Sequence, residues 1–469
     1  MPTRDALRVA YVLASSLWAV PAIAQTATGD QSSSAGGLWE QSNLLDDMAG
    51  LRPLLGKYGI SFGLSETSQV FGNVTGGVHQ GADYEGLTEM GLGLDTSKAF
   101  GWHGGIFHIS ALQIHGRNID TDNLDALQGV SGIEAIDSTR LWEIWYQQAF
   151  LGGNFDIKLG EQSIDQEFLI SQQSLIFLNF AMGWPALPSL DLYAGGPTYP
   201  LSSLGVRLRA HPSDTVTLLG GVFDDNPPGG PFNDDSQVKG ASAWGGNFSL
   251  RTGALLIAEI QYALNPPPSG GSDAPSGLPG TYKLGFWYDS GPFPSPVKGQ
   301  GGLSLANPLS NGIPLLLWNN FSIYGVADQT IWQPNPKEAR ALGVFARVMG
   351  APSDRNLISW SMNGGFTLKA PIRGRDNDTL GIGFGLAHVS SSAAALDKDE
   401  AFFTGQPVPV RGTESFIEVT YQAQLTPWWQ VQPDLQYIIN PGGGLLNPTD
   451  PTKQIGNELV LGLSTMITF

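Results

Sequence analysis

Between Arg117 and Tyr199 the chain gathers carboxylates, amides, a few bases and aromatic rings. The mixture suits a solute rich in hydroxyls. Carboxylates, guanidinium and amide groups exchange hydrogen bonds with hydroxyl rims, and exposed ring faces accept C–H faces. The largest group lies in residues 161–203, with Glu161, Gln162, Asp165, Gln166 and Glu167 followed by Phe180, Trp184, Tyr193 and Tyr199. Just before it, Glu143, Trp145 and Gln147 alternate with Trp142, Ile144, Tyr146 and Phe150. A mixed-sign wall of Arg140, Glu143 and Lys158 would set up a transverse field that orients a polar neutral solute. Arg117, in IHGRNID, and Glu134 extend the set. Each has a plainer reading: packing aromatics in a surface loop, a bracing polar network, or Arg117 paired to Asp120 or Asp122.

Catalytic and metal motifs are absent from the sequence. There is no G-x-S-x-G elbow, no P-loop string and no H-E-x-x-H pair among the six His. Acidic runs stand at Asp120-Thr121-Asp122, Asp224-Asp225, Asp234-Asp235, Asp376-Asn377-Asp378 and Asp397-Lys398-Asp399-Glu400. Calcium takes such hard oxygen ligands, but none has EF-hand spacing, and a solvated loop charge is the simpler reading. No other cofactor is expected.

Groups like these need elements to aim them, and the dominant period is two. Tyr282, Leu284, Phe286 and Tyr288 alternate with Lys283, Gly285, Trp287 and Asp289. Trp360, Met362, Phe366 and Leu368 share one face of residues 358–369, and Ile417, Val419 and Tyr421 one face of 414–425. A soluble sandwich would alternate too. Two features favour lipid: segments of about 9–11 residues, which span a membrane when tilted, and Tyr and Trp at their ends, as interfacial girdles require. No run of about 18 consecutive apolar residues follows residue 24, so no transmembrane helix is expected. Seventeen segments read as strands, residues 244–250 among them. Single-chain bacterial barrels have even strand numbers, which predicts 16. The expected fold is therefore all-β: a transmembrane antiparallel barrel over residues 59–469.

Short turns are expected at 152–154, 211–214, 252–253 and 426–427, on the periplasmic side. Long extracellular loops are expected at 116–140, 161–203, 223–243, 265–281, 290–317, 389–413 and 439–458. A throat made by a long loop folded inward is expected from 161–203. Residues 1–24 read as a signal peptide, with Arg4 and Arg8, an apolar Val9–Val20 stretch and an Ala22-Ile23-Ala24 cleavage site. Residues 25–58 read as a flexible leader and a short periplasmic helix with Leu44, Met48, Leu51 and Leu55 on one face, Asn43 as N-cap and Gly56 at its end. Removing Arg4, Arg8 and Asp5 leaves 22 bases against 41 acids, net −19. That excludes a nucleic-acid binder, which carries basic patches. No Cys is present, so no disulfide braces the exported chain.

Three stretches carry a family resemblance: LRPLLGKYGISF with NVTGG and LDTSKAFGWHGGIF; RLWEIWYQQAFLGGNFDIKLGEQSIDQEF from Arg140 to Phe168; and TPWWQVQPDLQYIINPGG from Thr426 to Gly443. The last contains the string W-x-x-x-Q-P-D-x-Q-Y-I-x-N-P-G, starting at Trp428. From about Trp39 to Phe469 the chain resembles the carbohydrate-selective porin family (OprB type). The resemblance implies a 16-stranded outer-membrane barrel, a periplasmic helix, and passive uptake of glucose and other small carbohydrates without catalysis. It adds weight to Arg117, because the family has an Arg-containing stretch there. The chain departs from the family in its Pro-rich inserts 265–281 and 290–317 and in its acidity, which bear on the solute. Expected partners are small sugars, outer-membrane lipids and lipopolysaccharide, and the barrel-assembly machinery through Phe469, which closes the alternating strand 459–469. Monomer and homotrimer both fit. The competing classes are a channel of other or general selectivity and a barrel enzyme. An anion pore would need rings of Arg or Lys. An enzyme would need a Ser/His pair, and His388 beside Ser390 and Ser391 is the place to look.

Overall fold

The computed structural model describes residues 38–229, 243–266 and 277–469. The expected signal peptide 1–24, the leader to residue 37 and the Asp234-Asp235 run lie outside the described residues. Sixteen antiparallel strands close into one barrel. In chain order they are β1 (Ile60–Gly77), β2 (Gly81–Asp95), β3 (Gly105–Gly116), β4 (Ser138–Phe150), β5 (Phe155–Gln162), β6 (Ser203–Ser213), β7 (Val216–Asp224) and β8 (Ala254–Leu264). There follow β9 (Gly280–Gly299), β10 (Pro314–Trp332), β11 (Ala341–Gly350), β12 (Ile358–Lys369), β13 (Thr379–Val389), β14 (Thr413–Thr426) and β15 (Trp429–Ile439). A small separate hairpin, β16 (Leu446–Asn447) and β17 (Asp450–Gln454), precedes the last barrel strand, β18 (Gly456–Thr468). Strand β18 pairs with both β15 and β1, which closes the seam.

Alternation decides which side each residue faces. On β14, Ile417 is 46% exposed and the neighbouring Glu418 is 0% exposed. The same inversion holds for Phe366 against Thr367, and for Leu463 against Ser464. Apolar residues face outward all round, and polar residues face a packed interior, as a lipid-embedded barrel requires. That interior is not simply polar. Phe168, Leu169, Phe177, Met182 and Leu187, from the β5–β6 loop, form an apolar core with Trp287, Tyr324, Phe345 and Phe416 of the wall.

Four expectations are corrected. Residues 244–250 form no strand. Gly245, at φ 76°, lies so close to Leu141 O of β4 that a Cβ would stand 1.8 Å from it, so the segment lies across β4 instead of pairing in the sheet. Thr252-Gly253 is therefore part of one long β7–β8 connection. Strand β8 ends at Leu264 and β9 begins at Gly280 at the end of the barrel that carries Phe469, so the connection expected at 265–281 is not an extracellular loop. Much of 290–317 is strand: β9 and β10 stay paired as far as Pro314 and Gly299, leaving a shorter connection at 300–313.

The N-terminal helix, α1, runs only from Leu51 to Lys57 and starts after Gly50, not Asn43. Asp46, Met48 and Ala49 adopt positive φ, which breaks the expected earlier turn. The helix buries none of its side chains. It is tied down by Arg52, which donates to Phe62 O at 3.1 Å and to the carbonyl of Phe469.

Alternation on β4 assigns Trp142 to the lipid side with Ile144, Tyr146 and Phe150, but Trp142 is buried inside the barrel. The β3–β4 register pairs Ser110 with Glu143 and then Ala111 with Leu141, so Trp142 is the extra residue of a bulge. Its ring turns inward among Leu87, Leu112, Ile114 and Ile133, and Nε1 donates to Leu201 O at 3.3 Å.

Candidate channel constriction

The loop joining β5 to β6, residues 163–202, folds into the barrel. A backbone that leaves water needs a partner for every N–H and C=O. The wall supplies them. Glu259 of β8 accepts from Leu169 N at 3.0 Å, and Asp328 of β10 accepts from Ser171 Oγ, Gln172 N and Gln173 N at 2.5, 3.2 and 3.3 Å. Glu418 of β14 accepts from Leu178 N at 2.6 Å. Arg347 of β11 reverses the polarity and donates to the carbonyls of Leu169, Ala181, Met182 and Gly183. The β3–β4 loop, residues 117–137, docks in the same way: Glu414 accepts from Leu127 N at 2.7 Å and Gln436 donates to Val130 O at 2.8 Å. The two loops meet each other through Gly132 N to Leu178 O and Phe180 N to Gly129 O, at 2.7 and 3.1 Å.

Between them lies a cavity of about 600 Å³. Arg117, Glu134, Asp165, Trp184 and Tyr199, all expected from the sequence, line it. Arg117 is exposed and pairs with Asp122 at 2.7 Å and Asp83 at 3.4 Å. Burial, with Asp120 and Glu85 nearby, pushes the Glu134 carboxyl up to about 10, and its Oε1 accepts from Asp120 N at 3.1 Å. Burial raises Asp120 itself to about 8 and Asp165 to about 6. Asp165 accepts from Tyr199 N at 2.9 Å, while the Tyr199 hydroxyl donates to Ile133 O at 2.7 Å, linking the two loops. Trp184 Nε1 donates to Gly195 O at 3.1 Å.

The other seven expected residues are not at this cavity. Arg140, Glu143, Gln147, Lys158, Glu161 and Gln162 are buried behind the loop, and Trp145 is half-buried. Glu143 accepts from Ser163 N at 2.9 Å, Gln162 donates to Gly205 O at 3.0 Å, and Ser202 Oγ donates to Glu161 at 3.4 Å. Arg140 is likewise engaged. Lys158 Nζ sits 2.6 Å from Glu167 and 4.9 Å above the Trp145 ring, which stacks on His108. Arg207 bonds Glu167 at 2.7 Å and Gln147 at 3.1 Å, and also holds Asp156 with Arg209. Burial would raise the Glu167 carboxyl, but Arg207 and Lys158 hold it well below the usual range. These groups brace the loop against β4, β5 and β6.

Sequence reasoning missed Glu89 and Asp137 as lining residues, and noted Asp120, Gln166 and Phe180 without selecting them. It also missed the wall anchors. His388 stacks on Trp360 and meets Thr413 Oγ1 at 2.8 Å, while Ser390 Oγ caps a helix, so no nucleophile–base pair forms there. Among the described residues no group of three or more His, Asp or Glu is arranged to hold a metal ion, so the calcium expectation gains no support.

Residues 79–469 match the model of the carbohydrate-selective porin, OprB family. The chain belongs to this family. As an OprB-family porin it is a passive outer-membrane channel for sugars and not an enzyme. It is 25% identical to Porin B of Pseudomonas aeruginosa over 450 residues, 91% of each chain. It is 24% identical to the putative porin QuiX of Acinetobacter baylyi, covering 94% of this chain and 97% of that one. Its fold matches the high-pH structure of Pseudomonas putida OprB with a TM-score of 0.79, covering 94% of this chain and all of that one at 24% identity.

Proposed function

We propose that small neutral sugars such as glucose cross this porin through the cavity between loops 117–137 and 163–202, in contact with Glu134, Asp165, Trp184 and Tyr199. The observation that carries this reading is one 600 Å³ space faced by both carboxyls and aromatic rings. The carboxyls exchange hydrogen bonds with hydroxyls, the rings meet C–H faces, and neither holds the solute tightly enough to stop its exit. Lipid and lipopolysaccharide surround the outward apolar belt. The assembly machinery recognises the strand ending in Phe469, whose N–H donates to Leu64 O at 2.9 Å. Cross-linking in native membranes separates a monomer from a homotrimer.

Titrating glucose against single-channel ion current tests the route. Trp184→Ala is expected to weaken sugar block about two- to twelvefold, since an aromatic contact contributes roughly 0.5–1.5 kcal/mol. Unchanged block by a folded variant would move the route elsewhere in the lumen.

A further inference from the structure

The carboxyl and basic groups of the interior are unequally engaged. At the cavity Glu89, Asp120, Glu134, Asp137 and Asp165 stand against one base among the described residues, Arg117, and that base is already paired with Asp83 and Asp122. The buried bases of the wall are occupied as well. Lys158 and Arg207 are held by Glu167, Arg209 by Asp156, and Lys283 lies 3.8 Å from Glu259. Arg347 is spent on loop carbonyls. Carboxyl oxygens, in contrast, are left over. Oε2 of Glu85, Glu134 and Glu161, and both oxygens of Glu458, have no hydrogen-bond partner. Glu85, Glu161 and Glu458 are almost wholly buried, at 4%, 3% and 0% exposure. Of the four carboxyls only Glu134 lines the cavity; Glu85, Glu161 and Glu458 belong to the wall strands β2, β5 and β18.

We propose that this porin sorts sugars by charge, passing neutral and ammonium-bearing sugars and holding back those that carry a carboxylate or phosphate. The inference rests on the route given under Proposed function. A cation entering the cavity meets Glu134, whose Oε2 lacks a partner, and its charge favours the ionised form of the lining carboxyls. An anion disfavours the ionised form of the same groups and, among the described residues, finds no uncommitted base at the cavity to compensate for the hydration it loses. Rings of carboxylates give cation preference in channels by the same means. Arg117 is the one group at the cavity that works the other way, and its exposure makes it open to substitution.

The test is entry of labelled glucose, glucosamine and glucuronate into liposomes carrying the full-length mature porin, together with the reversal potential in a potassium chloride gradient. Expected are entry of glucose and glucosamine, entry of glucuronate slower by on the order of tenfold, and a reversal potential of cation-preferring sign. Arg117→Ala should widen the gap between glucosamine and glucuronate. Equal entry of glucuronate and glucose, or an anion-preferring potential, overturns the charge inference and leaves the sugar route standing. A channel that conducts ions but admits no glucose fails the route itself, which is a separate outcome.

Discussion

Replacing Arg347 with alanine should at least double single-channel conductance and abolish sugar block. One guanidinium on β11 bonds Leu169 O at 3.1 Å, Gly183 O at 2.9 Å, Ala181 O at 2.9 Å and Met182 O at 2.5 Å, and its Nε bonds Asn363 Oδ1 at 2.9 Å. Its side chain is 1% exposed, so no water replaces it. Alanine would strip this donor from the carbonyls of Leu169, Met182 and Gly183, while Ala181 O keeps a bond from Asn363 Nδ2 at 2.7 Å, and each buried unsatisfied group costs roughly 1–3 kcal/mol. The loop can recover that only by leaving the wall, which widens the passage and separates Trp184 from Tyr199. Arg347→Lys should fall between, because an ammonium offers three donors from one point and cannot span the carbonyls a planar fork reaches. Planar-bilayer recording reads both quantities, and the heat-dependent gel shift of the barrel reports folding. A folded Arg347→Ala channel with wild-type conductance and wild-type sugar block would show that the loop is held by its apolar core alone.

The second large effect is expected on the outer face. Phe286 lies mid-way along the membrane-spanning part of β9 and is 48% exposed, opposite Ile323 of β10 at 61%. Phe286→Arg should destabilise the barrel by about 2–4 kcal/mol, the cost of a base facing lipid at mid-depth. In a soluble protein the same exposed substitution would be close to neutral. Guanidinium unfolding in lipid vesicles measures the difference, and a change under about 0.5 kcal/mol would remove hydrocarbon from that face.

The strands were legible because lipid imposes a local rule. Tyr282, Leu284, Phe286 and Tyr288 show their common side without knowledge of any partner, and β9 contains them. The same rule misled at Trp244–Leu250, where alternation is present but no neighbouring strand pairs with it, and at Trp142, where the bulge exists only in the register with β3. At Leu44–Leu55 a helical spacing was present, but backbone turns at Asp46 and Met48 cut it short. The site was half-legible for a related reason. Arg117, Glu134, Asp165, Trp184 and Tyr199 lie in the two loops that meet, so composition found them. Glu143 and Lys158 pointed inward as their alternation said, but the loop that covers them could not be read from the strand. Arg347 is more than 160 residues from the carbonyls it holds, and nothing near Val344 or Ala346 marks it.

The seam between β1 and β18 carries a consequence for assembly. Once those two strands zip together, a continuous ring of ladder bonds leaves no lateral door, so traffic through the wall is closed and only the two ends of the bore stay open. The apolar side chains of residues 163–202 thus reach the inner wall either ahead of the final zipping or through the mouth of the finished barrel.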